Sequence, residues 1–79
     1  MTMFVLYDKG YKSYIIQINP IISETRGEVI YEQYQHPNTT KDINEAKTFT
    51  TKENAINYVN NILGIKVELV EHFYDIIKV

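Results

Sequence analysis

The segment from Thr51 to Leu63 is the one stretch of this chain with helical periodicity and cap signals at both ends. Ala55, Tyr58, Val59, Ile62 and Leu63 fall at i, i+3, i+4, i+7 and i+8, which draws a single apolar stripe, and Asn54, Asn57, Asn60 and Asn61 take the wet side. Thr50 and Glu53 have capping-box spacing, and Thr51 is an equally good N-cap. Gly64 ends the helix as a left-handed residue, which places Ile65 to pack back on Val59. One helix can cover one face of a sheet and no more. Whatever strands the remainder supplies are therefore expected to have a second, uncovered face.

The remainder reads as strands. Met3 to Tyr7 and Tyr11 to Ile18 are rich in β-branched and aromatic residues, and Asp8-Lys9-Gly10 between them forms a hairpin loop with Gly10 as its left-handed residue. Asn19-Pro20 interrupts the second strand, and Ile21-Ile22 continue it past a bulge or along an edge. Ser23 to Gly27 reads as a turn, and Glu28 to Gln35 as a third strand. Asp42 to Ala46 forms a single helical turn capped by Thr40 or Asp42, and Lys47-Thr48-Phe49 a short extended piece. After the helix the period becomes two: Ile65, Val67 and Leu69 face one way, Lys66, Glu68 and Val70 the other, which specifies a strand. From Leu69 onward a helical spacing of Leu69, Val70, Phe73, Ile76 and Ile77 competes with the strong strand formers Phe73-Tyr74 and Ile76-Ile77, and extended structure is favoured.

The expected fold is α+β, an antiparallel sheet of four to five strands with one helix packed on one face, in the order β-β-β-α-β with a further C-terminal strand possible. The helix is expected to pack on Phe4, Leu6, Ile16, Ile18, Phe49, Val67 and Leu69. At 79 residues and 9.3 kDa the chain makes one domain over residues 1–79. With no cysteine, it folds through packing alone or with a partner.

Composition removes several function classes. A net charge of −2 and a pI near 5.6 supply no cationic field for nucleic acid, so direct nucleic-acid binding is not expected. No apolar run reaches membrane-spanning length and the start lacks a signal peptide's basic and apolar regions, so a cytoplasmic protein without membrane association is expected. The three glycines stand alone at 10, 27 and 64, which leaves no glycine-rich phosphate loop. His72 and Asp75 could pair as a base and its orienter or ligate a metal, but a strand points them to opposite faces and no third ligand lies nearby. His36 likewise reads as a solvated surface residue, so no catalytic residue, metal or cofactor is assigned and the chain is not read as an enzyme.

Residues with AT-rich codons (Phe, Tyr, Met, Ile, Asn and Lys) make up 38 of the 79, against 8 for Gly, Ala, Arg and Pro. That bias points to an AT-rich genome such as those of low-GC bacteria and their phages. Within the chain, Ala46, Phe49, Thr51, Glu53 and Ala55 match a pattern Ala-x-x-Phe-x-Thr-x-Glu-x-Ala. The stretch resembles small uncharacterised accessory proteins of Firmicutes phages and prophages, in which the motif stands between an N-terminal hairpin and a C-terminal strand. The motif itself is a small residue, a core aromatic and a helix N-cap, so it specifies how strand meets helix and encodes no chemistry. What the resemblance implies is an accessory protein acting on its host, with inhibition of a defence system such as a CRISPR effector among the functions of proteins of this kind.

The uncovered sheet face is where a partner is expected. The strand alternation places Tyr11, Ile15, Ile30, Tyr34, Val70 and Tyr74 there, among Glu28, Glu32, Glu68 and His72. Tyrosine buries much area at little entropic cost and keeps a polar tip, and carboxylates around it suit a basic protein surface. The expected partner-binding residues are Tyr11, Glu28, Glu32, Tyr34, Glu68 and Tyr74, and the expected partner is a host protein. The bland alternative is that strands use Tyr and Ile from propensity alone. A second functional alternative is a small oligomer, a homodimer included, that binds a nucleotide or other metabolite at a subunit interface.

Overall fold

The computed structural model describes the backbone of every residue except 1, 21, 28, 34 and 35, and the side chains of all but 1, 21–26 and 28–35. Its architecture is α+β. Strands β1 (Phe4–Asp8), β2 (Ser13–Gln17), β5 (Asn38–Thr40) and β6 (Tyr74–Lys78) form a four-stranded antiparallel sheet in the order β5-β2-β1-β6. Helix α1 (Lys52–Leu63) packs on one face of it, burying Ala55 and Val59 against Leu6, Ile15, Ile18, Phe49, Val70 and Tyr74. Strands β3 (Ile22–Arg26) and β4 (Val29–Gln33) pair with each other as a separate two-stranded sheet.

Helix α1 forms as its sequence signals require. The Thr51 side chain accepts the Asn54 amide at 3.1 Å, so Thr51 rather than Thr50 is the N-cap. Gly64 takes φ 68 and its amide closes the last turn on Asn60 at 2.8 Å. Tyr58 reaches across to the sheet, where its hydroxyl accepts the Ile18 amide at 3.0 Å.

The sheet is less regular than alternation suggests. β1 and β2 pair directly only at Tyr7↔Tyr14 and Asp8↔Ser13. Beyond that the segment Lys47–Phe49 supplies partners to both strands: the Lys47 amide donates to Ile15 at 2.9 Å, and Phe49 exchanges two 2.8 Å hydrogen bonds with Phe4. This is the short extended piece expected after the helical turn, which itself forms at Ile43–Glu45 under an Asp42 cap.

Four expectations are corrected. First, the residues 65–70 are not a strand; Val67–Leu69 form a 3-10 turn that runs into a short helix, α2 (Val70–Phe73). β1 already has β6 along one edge and β2 with Phe49 along the other, so no place remains beside it. Val67 and Leu69 are consequently exposed, and Val70 is the residue that enters the core. Second, Ile15 is buried and Ile16 is 39% exposed, the reverse of the expected order, because the register shifts between Ile15 and Gln17 and brings Ile18 inward instead of Gln17. Third, Ser23 to Arg26 belong to β3 and the turn sits at Gly27, whose φ of 65 suits the two-residue connection implied by the Arg26↔Val29 pair. Of the strand expected over 28–35, Val29–Gln33 therefore pair in this hairpin and not in the main sheet, where β5 takes the edge, and 28, 34 and 35 lie outside the described residues. Fourth, the left-handed residue of the first hairpin is Lys12 at φ 54, not Gly10. Asp8 Oδ1 accepts the amides of Gly10 and Tyr11 at 2.8 and 3.0 Å, and a Cβ on Gly10 would stand 3.3 Å from that oxygen.

Candidate interaction surface

Of the six residues expected at a partner surface, Tyr11 is exposed at the tip of the β1–β2 turn. Its backbone is held by Asp8, its hydroxyl is hydrogen-bonded to His36 Nδ1, and its ring meets the His36 ring edge-on with centroids 5.8 Å apart. Tyr74 is different. It opens β6 directly opposite Asp8 and is 6% exposed, so it belongs to the core on the helix-covered face. Burial, with the negative charges of Asp8 and of Tyr11 adding to it, pushes the Tyr74 hydroxyl up to about 12.

Glu68 is exposed, but in the 3-10 turn Val67–Leu69 rather than on the sheet. Glu32 lies in β4 opposite Ser23, in the separate hairpin, as does Ile30 opposite Thr25, and their side chains are outside the described ones. Glu28 and Tyr34 lie outside the described residues. Ile15 and Val70, also expected on the open face, are fully buried in the core. The described members of the expected site are thus distributed over four places, and a single six-residue face is not what the fold assembles from them.

What the fold brings together instead has two parts. On the sheet face away from α1, alternation places Val5 and Tyr7 of β1, Tyr14 of β2 and Ile77 of β6, with Tyr7 and Tyr14 in edge-on contact at 5.2 Å. The second part is the connection between α1 and β6, where Val67, Leu69 and Phe73 are all exposed and Glu68 stands between the first two. Lys9 fastens the Tyr11 turn to the end of this connection. Its amide donates to Phe73 at 3.2 Å, its ammonium donates to the Glu71 carbonyl at 3.0 Å and lies 3.5 Å from the Asp75 carboxylate. Lys52 at the start of α1 is ion-paired with Glu71.

Sequence reasoning missed Val67 and Leu69 as surface residues because a strand reading pointed both inward. The competing signal was the helical spacing of Leu69, Val70 and Phe73. His72 and Asp75 are both exposed, Asp75 beside Lys9, and among the described residues no group of three or more His, Cys, Asp or Glu side chains could hold a metal ion. Among those residues no helix is long and apolar enough to cross a membrane. Comparison with family models, curated proteins and solved structures finds no match.

Proposed function

We propose that this chain is a non-enzymatic accessory protein of a phage or prophage that acts by binding a host protein, as an inhibitor of a bacterial defence or nucleic-acid-processing enzyme such as a CRISPR effector. The observation that carries the reading is the exposure of Val67 and Leu69 around Glu68, on a connection tied through Lys9 to the exposed Tyr11. Apolar side chains left in water on a small protein mark interaction sites when they cluster, and an acidic residue among them suits a basic partner surface. The AT-rich composition and the Ala46 to Ala55 motif support the phage or prophage setting.

The test is affinity capture from a low-GC bacterial lysate followed by measured affinity for the captured protein. Tyr11→Ser combined with Leu69→Ser is expected to weaken binding by about a hundredfold or more with the melting temperature retained, as loss of two anchors does. Unchanged affinity in the folded double variant would remove this surface from the account. The other reading, a small oligomer holding a nucleotide or metabolite between subunits, draws support from the open edge of β6. A ligand retained through purification only by the oligomer would favour it.

A further inference from the structure

The two edges of the main sheet are unlike each other. β5 has three residues, follows Pro37 and pairs with β2 across its register shift, three features that make an edge a poor template for another strand. β6 has five residues, no proline, and an unbroken register with β1 from Tyr74 to Lys78.

The hydrogen-bond parity of β6 determines which groups face outward. Val79 and Met3 exchange backbone bonds, the Val79 amide at 2.8 Å, and Phe73 accepts the Lys9 amide at 3.2 Å. In an antiparallel ladder these bonds recur at alternate residues, so Phe73, Asp75, Ile77 and Val79 turn their backbone groups to β1. Tyr74, Ile76 and Lys78 turn theirs away from it. The Tyr74 amide is used at the end of α2, where it donates to Val70, which leaves the Tyr74 carbonyl and both backbone groups of Ile76 and Lys78 along the outer edge.

We propose that β6 pairs antiparallel with β6 of a second copy about a two-fold axis at Ile76, joining two four-stranded sheets into one of eight strands. Ile76 then lies opposite Ile76 of the partner subunit, Tyr74 opposite the partner's Lys78, and Asp75 opposite the partner's Ile77. Four backbone bonds form: each Ile76 amide donates to the other Ile76 carbonyl, and each Lys78 amide to the opposite Tyr74 carbonyl. The same register sets Phe73 opposite the partner's Val79. At 53% and 50% these are the most exposed large apolar residues among those described, and the pairing brings them together twice. A shift of one two-residue step toward the N-terminus opposes Asp75 to the partner's Asp75, which like-charge repulsion disfavours. A shift the other way sets Lys78 against the partner's Ile76 and Val79 against the partner's Asp75, which separates the exposed Phe73 from the partner's Val79. A self-complementary strand selects a copy of itself over a foreign strand, and the symmetric closure uses up the edge.

Two measurements on the full chain test this. In light scattering after size exclusion the protein is expected at twice its 9.3 kDa chain mass. Lys78→Pro, which removes an outward amide without touching the β1 ladder, is expected to raise the dimer dissociation constant on the order of thirtyfold, the effect of two lost bonds. In hydrogen exchange followed by NMR, the Ile76 and Lys78 amides are expected to slow as concentration rises, while those of Asp75 and Ile77 stay constant. A monomer at all concentrations, or a dimer in which Ile76 and Lys78 still exchange freely, would overturn the proposal even if Lys78→Pro failed to fold.

Discussion

Ile15 and Ile16 are adjacent and chemically identical, yet one is fully buried and the other 39% exposed. Side-chain alternation along a strand makes such a contrast, and only the register decides which of the two goes inward. Here the register follows the Tyr7↔Tyr14 pair and the shift after Ile15, neither of which apolar content reveals when both residues are isoleucine. Ile15→Ala is expected to cost about 2–5 kcal/mol in urea unfolding and Ile16→Ala less than about 1 kcal/mol, because only the first opens a core cavity. Equal losses would contradict the register. Tyr74 supplies a second residue-level expectation. Its hydroxyl is pushed from an ordinary value of 10 up to about 12, so the folded chain holds this proton more tightly than the unfolded chain. The resulting stability is fully present below pH 10 and is lost as pH rises through about 12. Tyr74→Phe is expected to flatten the fall in melting temperature over that window, and an unaltered slope would place the hydroxyl in water.

Among the elements, α1 was legible from end to end because local chemistry decides it: a threonine that caps, a stripe that packs and a glycine that can turn left-handed. Thr51→Ala is expected to cost about 1 kcal/mol, and Gly64→Ala about 1–2 kcal/mol for forcing a Cβ into the left-handed region, both measurable as shifts in denaturation midpoint. Thr50→Ala, which removes only a side-chain bond from Asn54, is expected to cost less than Thr51→Ala. The α1–β6 connection was not legible. Leu69 belongs both to the alternating set of Ile65 and Val67 and to the helical set of Val70 and Phe73, and what decided against a strand was that β1 had already filled both edges, a fact about pairing and not about local sequence. Ser23 to Arg26 failed for the converse reason: their polar composition imitates a turn, while their pairing with β4 depends on Gly27 making the reversal.

At the scale of the molecule, one helix covers one sheet face, and among the described residues no strand pairs with the outer edge of β6. Tyr11 and Glu68, expected with the others on one open sheet face, are exposed in a turn and in the α1–β6 connection, and Tyr74 is in the core, so the single face expected for all six residues does not form. With a net charge of only −2, Glu68 is expected to act on encounter more than on residence, so Glu68→Gln should lower the association rate and its salt dependence while leaving the dissociation rate nearly unchanged. The claim that the exposed connection and the Tyr11 turn together receive a host protein has one direct test, hydrogen exchange of the chain with and without its captured partner. Protection centred on Val67 to Leu69 and on Lys9 to Lys12, with α1 unchanged on its asparagine side, is the predicted result; protection confined to that asparagine side or to the Tyr7–Tyr14 face, with the connection still exchanging freely, would contradict it.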